Sequence, residues 1–529
     1  MAAVSRGASY HQGRSLIARG LHDPGTWRSR RAIATAAGAV LTVLAGLWLA
    51  FKAPGYGVPL PLVGVVAVVP GWLAVTRRTG VALAVVLLYL GLLDGALKLQ
   101  SGSTVISLGR DVVLYAAAIG ALLHSRAPRR RPAMTGWIVA WGLVVVVQLA
   151  NPADRSLAHS IAALRQHLEF VPLFFLGYAV LRDRRSLHAL FALLLAVAAI
   201  NGAVAAYQST LSPAQLAGWG PGYQQLAEGM DARTFTAANG KTELRPPGLG
   251  SDMGFGGILG AVALPGGVVL LLTYWRRRWL MALIVLGLIG ASAGVLTSES
   301  RSSVITAVVT LVAMLALTGA GGQAKRAVVG LALIIAFVGV TVVVVGSFQS
   351  TAFDRYSSIA PGRAASTTVQ SRASTWGETF TYINDIPLGA GLGTVGPAAS
   401  KVGGQNSAVY NAESQFTFLV VELGIPGLVL FLAFQAALCR TLLRGLRREP
   451  DRRVVLLMAG VAAPLFGFAV NWLVGVNTTS PPNAPYLWLA AGIIAWWLVD
   501  RPRRAAAGAG AAPTAIRSTR RSRLELAHA

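Results

Sequence analysis

The chain holds one cysteine, Cys439, among its 529 residues. That excludes an intrachain disulfide and any cysteine-based metal site. Charge is scarce as well. Only 12% of residues are Asp, Glu, Lys or Arg, about half the share of a soluble domain. Acids are the rarer sign, 20 Asp and Glu against 46 Lys and Arg. There is no HExxH and no cluster of His with carboxylates, and His159 and His167 stand apart, so no metal is indicated. No P-loop is present, and no GxGxxG opens a helix after a strand, so no nucleotide cofactor is indicated. The glycine-rich GAGLGTVG leads into further loop and reads as a run of tight turns. Internal repeats and inverted symmetry, which many transporters carry, are also missing.

What the chain has is apolar length. Hydrophobic residues make up 54% of it, in runs of about 20, enough to cross a hydrocarbon core. It reads as an all-α polytopic membrane protein of about fourteen transmembrane helices. The spans begin with Ile33–Phe51 and Val58–Val75 and include Ile161–Leu181 and Val328–Gly346. They end with Gln415–Cys439, Val454–Val476 and Ala484–Val499. The net charge of +26 does not indicate nucleic acid, because the arginines gather in alternate short connections. TRRTG, HSRAPRRRP, LRDRRS, YWRRRW, GGQAKR, CRTLLRGLRREPDRR and DRPRR are all basic. KLQSGS and VNTTSPPN, on the other side, carry little charge. Positive charge marks the cytoplasmic face, so both termini are expected inside.

Residues 1–31 read as a disordered basic arm and 500–529 as a disordered basic tail, both cytoplasmic. Residues 32–499 form the transmembrane domain, with two long outer loops, 208–252 and 348–414. A loop of that length is functional or disordered. Tyr356, Trp376, Phe380, Tyr382 and Tyr410 let the second one pack as a cap. Arginine in excess of lysine, with abundant Ala, Gly and Val, suggests a GC-rich bacterial genome.

Arginines on the outer side run against the charge rule and are informative. They are Arg110, Arg165, Arg245, Arg301 and Arg372. A guanidinium at membrane depth is costly and turns inward toward a partner. Arg165 has Glu169 four residues on, and Asp94 can neutralise Arg110, so local pairing is one reading. The other is that these side chains converge on a polyanion such as a lipid diphosphate, which a guanidinium binds in forked, charge-assisted bonds.

Three stretches, taken in order, resemble the O-antigen ligase and polysaccharide polymerase superfamily. The first is Arg245-Pro-Pro-Gly248 before a span. The second is Ser300-Arg301-Ser302 at a helix end. The third is SRASTWGETFTYINDIPLGAGLGT, similar to an Arg, Trp, Asp-x-Pro-Leu-x-Gly-x-Gly pattern, followed by ELGIPGL. The resemblance covers roughly 245–428. It implies a membrane glycosyltransferase that moves a glycan from a polyprenyl-diphosphate donor to a hydroxyl of a glycan or glycolipid acceptor. The reaction would take place outside the bacterial cytoplasmic membrane, for cell-envelope polysaccharide assembly, without metal or nucleotide sugar. It also implies catalytic roles for Arg245, Arg301 and Glu413, and donor contacts from Arg372, Arg165, Arg110 and Trp376.

The chain departs from the ligases at one point. They place His-Asn nine residues before the glutamate that is here Glu422, and this chain has Glu413-Ser414. Glu413 reads either as the general base, with an ordinary pKa of about 4.3, or as a helix N-cap. His167 and Asp252 are the next candidates for the base. A lipid-linked oligosaccharide flippase is the alternative function. It calls for paired halves and a cavity reachable from both sides, whereas the unusual charges and both long loops lie on one side here. A scaffold in an envelope complex would tolerate loss of the arginines.

Overall fold

The long apolar runs become long helices, since in lipid a helix satisfies its own backbone groups. The computed structural model describes residues 69–102, 106–124, 131–153, 156–228, 234–236, 242–252, 254–320, 370–401, 410 and 412–503. The main helices are α1 (Thr79–Ser101), α2 (Ile106–His124), α3 (Thr135–Val147), α4 (Leu157–Leu168) and α5 (Pro172–Val180). They continue as α6 (Arg184–Gln208), α7 (Phe255–Tyr274), α8 (Arg278–Thr297), α9 (Arg301–Ala320) and α10 (Gln370–Asp385). The last three are α11 (Gln415–Arg448), α12 (Arg452–Asn471) and α13 (Asn483–Ile494). Among the described residues, α1, α2, α6, α7, α8, α9, α11 and α12 are long and apolar enough to cross a membrane. The protein is a multi-pass membrane protein, and its regular structure among the described residues is helical apart from one antiparallel ribbon, Thr234–Thr236 against Thr242–Leu244.

The most buried spans, α7 and α12, form the centre, while α2 and α8 lie at the rim. Helix α8 packs along α6 and α7, and α9 along α12. Close approach of α6 and α8 depends on glycine: a Cβ at Gly202 would run into the backbone of Gly290 and Gly294. Small residues at such a contact let dispersion, rather than the hydrophobic effect, hold helices together in lipid.

Several expected spans differ in detail. Ile33–Phe51, most of Val58–Val75, and Val328–Gly346 lie outside the described residues, as do the arm 1–31 and tail positions 504–529. Ile161–Leu181 is two helices, α4 and α5, broken at Glu169–Val171. Pro172 opens α5, where its missing N–H costs nothing, and the Glu169 carboxylate turns to Arg110. Helix α1 contains a π turn, Tyr89–Leu93, just before Asp94. Such π turns are frequent at functional sites.

The loop 208–252 carries two short helices, Pro213–Ala217 and Pro221–Glu228. Leu216 and Tyr223 close with Leu99 into a small apolar core over the end of α1. At the opposite end of the bundle, Asp500 accepts hydrogen bonds from the Tyr178 hydroxyl (2.7 Å) and the Ala133 N–H (3.0 Å). Arg501 pairs with Glu449 at 2.6 Å, and Arg184 with Asp451.

Candidate active site

Helix α11 is interrupted near its start. Gly424 takes φ 66° and ψ −170°, a region open essentially only to glycine. Two residues on, Pro426 has no N–H and its ring clashes with the preceding turn. A break at membrane depth leaves backbone groups that must find partners. The loop after α10 provides them. Ile425 N–H donates to Pro387 O at 2.8 Å, and Ala390 N–H donates to Val421 O at 2.7 Å. Gln148 Nε2 donates to Leu388 O (2.8 Å) and Leu423 O (3.3 Å), and Asn151 Nδ2 to Gly389 O (3.1 Å). Gly389, Gly391, Gly393 and Gly396 all have φ between 74° and 95°. GAGLGTVG is therefore a chain of left-handed turns, as its sequence suggests. A Cβ on Gly389 would sit 2.8 Å from Gly424 N, so the two glycines allow loop and break to touch.

Glu422, two residues before the break, is fully buried. Its Oε1 accepts from Gly393 N–H at 3.0 Å, and its Oε2 lies 2.7 Å from His167 Nε2. The His167 ring packs between Trp141 and Phe418, at centroid distances of 5.8 and 5.4 Å. One carboxylate thus ties α4, the glycine loop and α11 together.

The arginine turns lie at the same end of the molecule. Gly248 and Leu249 are stapled to α6: Gln208 Oε1 accepts from Gly248 N–H (2.8 Å), and Asn201 Oδ1 from Leu249 N–H (3.0 Å). The half-buried Arg245 lies three residues before this anchor. Between α8 and α9 the turn is tight, with the non-glycine Glu299 at φ 49°. A Cβ on Gly254 would lie 3.3 Å from Ser300 Cβ, so this turn abuts the start of α7, ten residues after Arg245. Arg301 is the first residue of α9. Its Nε is shielded from solvent and makes no hydrogen bond among the described residues.

Arg110 and Arg165 have a different setting. Arg110 pairs with Glu169 and lies 3.4 Å from Asp94 Oδ2 and 3.5 Å from Asp111. Lys98 joins at Asp94 Oδ2 (2.7 Å). Arg165 pairs with Asp111, and its Nη2 is 3.7 Å from Glu169. Three cations and three carboxylates compensate one another, as buried charges must. Among the described residues no three His, Cys, Asp or Glu side chains form a group able to hold a metal.

Glu413 is exposed, two residues before the start of α11. The N-cap is Ser414, whose Oγ accepts from Thr417 N–H at 3.1 Å, rather than Glu413. Next to it, Gln415 Oε1 accepts from Asn477 and Thr478 N–H at 2.8 and 2.9 Å. The backbone at Arg372 and Trp376 belongs to α10, which packs on α11 through Thr379 and Thr417 (2.6 Å). The side chains of Arg372 and Trp376 lie outside the described part.

Residues 286–432 match a family model described as O-antigen ligase. Over that stretch the chain is similar to the O-antigen ligases. That span starts inside α8 and ends inside α11, so it takes in the Arg301 turn, α10, the glycine loop, Glu413, Glu422 and the Gly424 break. Arg245, Arg110 and Arg165 precede it. Among curated proteins none matches the chain. Sequence reasoning missed Gln148, Asn151 and the His167–Glu422 pair. The available signal was a His, a Glu and amide side chains inside otherwise apolar runs.

Proposed function

We propose that the stretch similar to the O-antigen ligases makes the chain a glycosyltransferase of the outer face of the bacterial cytoplasmic membrane. The donor is a polyprenyl-diphosphate-linked glycan and the acceptor a glycan or glycolipid hydroxyl. Arg245, Arg301 and Arg372 hold the diphosphate. The Glu413 carboxylate takes the proton of the acceptor hydroxyl as its oxygen attacks the anomeric carbon. The bond from that carbon to the phosphate oxygen breaks, and the diphosphate leaves on its lipid. Preorganised guanidinium groups stabilise the charge that develops there. No metal or nucleotide sugar enters this scheme.

The observation that carries the reading is Arg301. It stands inside the matched span, at the end of a strained turn beside the start of α7, with a sheltered Nε that makes no hydrogen bond among the described residues. A cation left with an open donor is what an incoming anion needs. Arg110 and Arg165 are left out of the clamp, because carboxylates already answer their charge. Trp376 remains a proposed donor contact beside Arg372.

Glu413→Gln tests the base. Proton transfer contributes about 10²–10⁴-fold in rate. The purified variant should lose about that factor in turnover while still binding the lipid donor. Turnover near that of the wild type would end the assignment of Glu413, with Asp252 as the next carboxylate to examine.

A further inference from the structure

The turn between α7 and α8 reads Trp275-Arg276-Arg277-Arg278-Trp279. It lies at the other end of α8 from the Arg301 turn. Three successive guanidinium groups repel one another. Arg277 is the N-cap of α8 and Arg278 its first residue, and Arg277 makes no side-chain cap. Cations at a helix N-terminus also oppose the macrodipole. The arrangement therefore works against the helix it starts, unless negative charge meets it. All three arginines are exposed. Just before them, the Tyr274 hydroxyl lies 3.4 Å from His188 Nδ1, near the start of α6. At this end of the bundle Arg184 pairs with Asp451 and Arg501 with Glu449. No carboxylate among the described residues pairs with Arg276, Arg277 or Arg278.

The flanking residues restrict the partner. Trp275 and Trp279 are 60% and 86% exposed. Indoles collect at the headgroup level of a bilayer, where one part of the ring meets apolar chains and the N–H stays wet. The Arg276 guanidinium lies 5.2 Å from the Trp275 ring centroid, a cation–π contact that keeps the charge at that level. Trp279, Leu283 and Leu286 follow at i, i+4 and i+7, so they share one face of α8. All three are exposed, and α8 lies at the rim, so this stripe meets hydrocarbon. Unanswered cations thus stand directly over an apolar track. An acidic peptide or a nucleic acid would use the arginines and leave the indoles and the stripe without a role. An anionic phospholipid uses all of them.

We propose that the Trp275–Trp279 turn is a docking surface for an anionic phospholipid of the bilayer. Arg276, Arg277 and Arg278 take the headgroup phosphate in forked, charge-assisted bonds. The two indoles flank the headgroup, and an acyl chain lies along Trp279, Leu283 and Leu286. Charge selects the lipid, because a zwitterionic headgroup carries its own cation beside the phosphate. Each guanidinium near an anionic surface strengthens the attraction about fivefold. The surface is independent of the proposed glycosyl transfer and stands whether or not that reading does.

The test places the full chain in phosphatidylcholine nanodiscs doped with a phosphatidylglycerol that carries a diazirine in its acyl chain. Both leaflets of a nanodisc hold the probe, so the result does not depend on orientation. Cross-links mapped by peptide mass spectrometry should concentrate on residues 275–286, above the level on other rim helices such as α2. Excess unlabelled phosphatidylglycerol should compete, while soluble glycerol phosphate should not. Arg277→Gln should weaken labelling there about fivefold. Arg276→Gln, Arg277→Gln and Arg278→Gln together should weaken it by more than about tenfold. A thermal melt of each variant shows that it remains folded. Equal labelling of residues 275–286 by a phosphatidylcholine probe, or a triple variant labelled like the wild type, overturns the proposal. Displacement by glycerol phosphate overturns it as well, and assigns the arginines to a soluble anion.

Discussion

Arg110 and Arg301 have one side chain type in two environments, and the difference sorts structural from chemical roles. Arg110 is the central cation among Asp94, Asp111 and Glu169. Removing it would leave buried carboxylates uncompensated, at a cost of about 3–5 kcal/mol. Arg110→Ala should therefore lower the yield of folded protein and its melting temperature in detergent. Arg301→Lys keeps the charge but loses the fork. It should melt like the wild type and lose most of its transfer activity. Equal loss of folded protein in both variants would remove the distinction. At this scale the sequence was half legible. Asp94 near Arg110, and Glu169 four residues after Arg165, were visible by spacing. The chief partner of Glu169, Arg110, lies 59 residues away, and Glu422 lies 255 from His167. No local spacing carries such pairs, so His167 read as isolated.

Among the elements, α11 is the informative one. Its sequence, QFTFLVVELGIPGLVLF, reads as one apolar span with a glycine and a proline in it. The structure breaks it at Gly424 and covers the break with the glycine loop. Gly424→Ala tests that joint. The new Cβ would meet the Leu388 carbonyl carbon and come within 2.6 Å of Pro387 O, and the backbone conformation itself disfavours any side chain. The strain alone costs about 1–3 kcal/mol. The variant should melt lower and lose the protection of the Gly389–Gly393 amides in hydrogen exchange, while α7 and α12 keep theirs. Unchanged exchange in that loop would show that the joint is not held by Gly424. Tight turns were legible in GAGLGTVG because glycine has few other reasons to recur so densely. Their docking onto α11 was not, because it depends on the amide side chains of Gln148 and Asn151, just after α3. The α4–α5 break was missed for a related reason. Pro172 and Glu169 sit in an apolar run, and hydropathy averages over both.

At the scale of the whole molecule, hydropathy was a strong guide, because the bilayer leaves a spanning chain few choices. The membrane class and the order of the long described helices follow from it. Orientation remains a prediction of charge placement. In a Cys439→Ser background, cysteines at Ser209 and Ser400 should react with an impermeant maleimide in intact cells. Reaction only after lysis would place both loops on the cytoplasmic side and remove the proposed reaction from the outer face. The central claim is that the glycan leaves its lipid diphosphate on this protein. The most direct measurement follows both products in proteoliposomes loaded with a polyprenyl-diphosphate-linked glycan and a glycolipid acceptor, without nucleotide sugar. Polyprenyl diphosphate should be released in equal amount to the glycan transferred. Glycan that crosses the membrane with its lipid linkage intact would contradict transfer and identify a flippase instead.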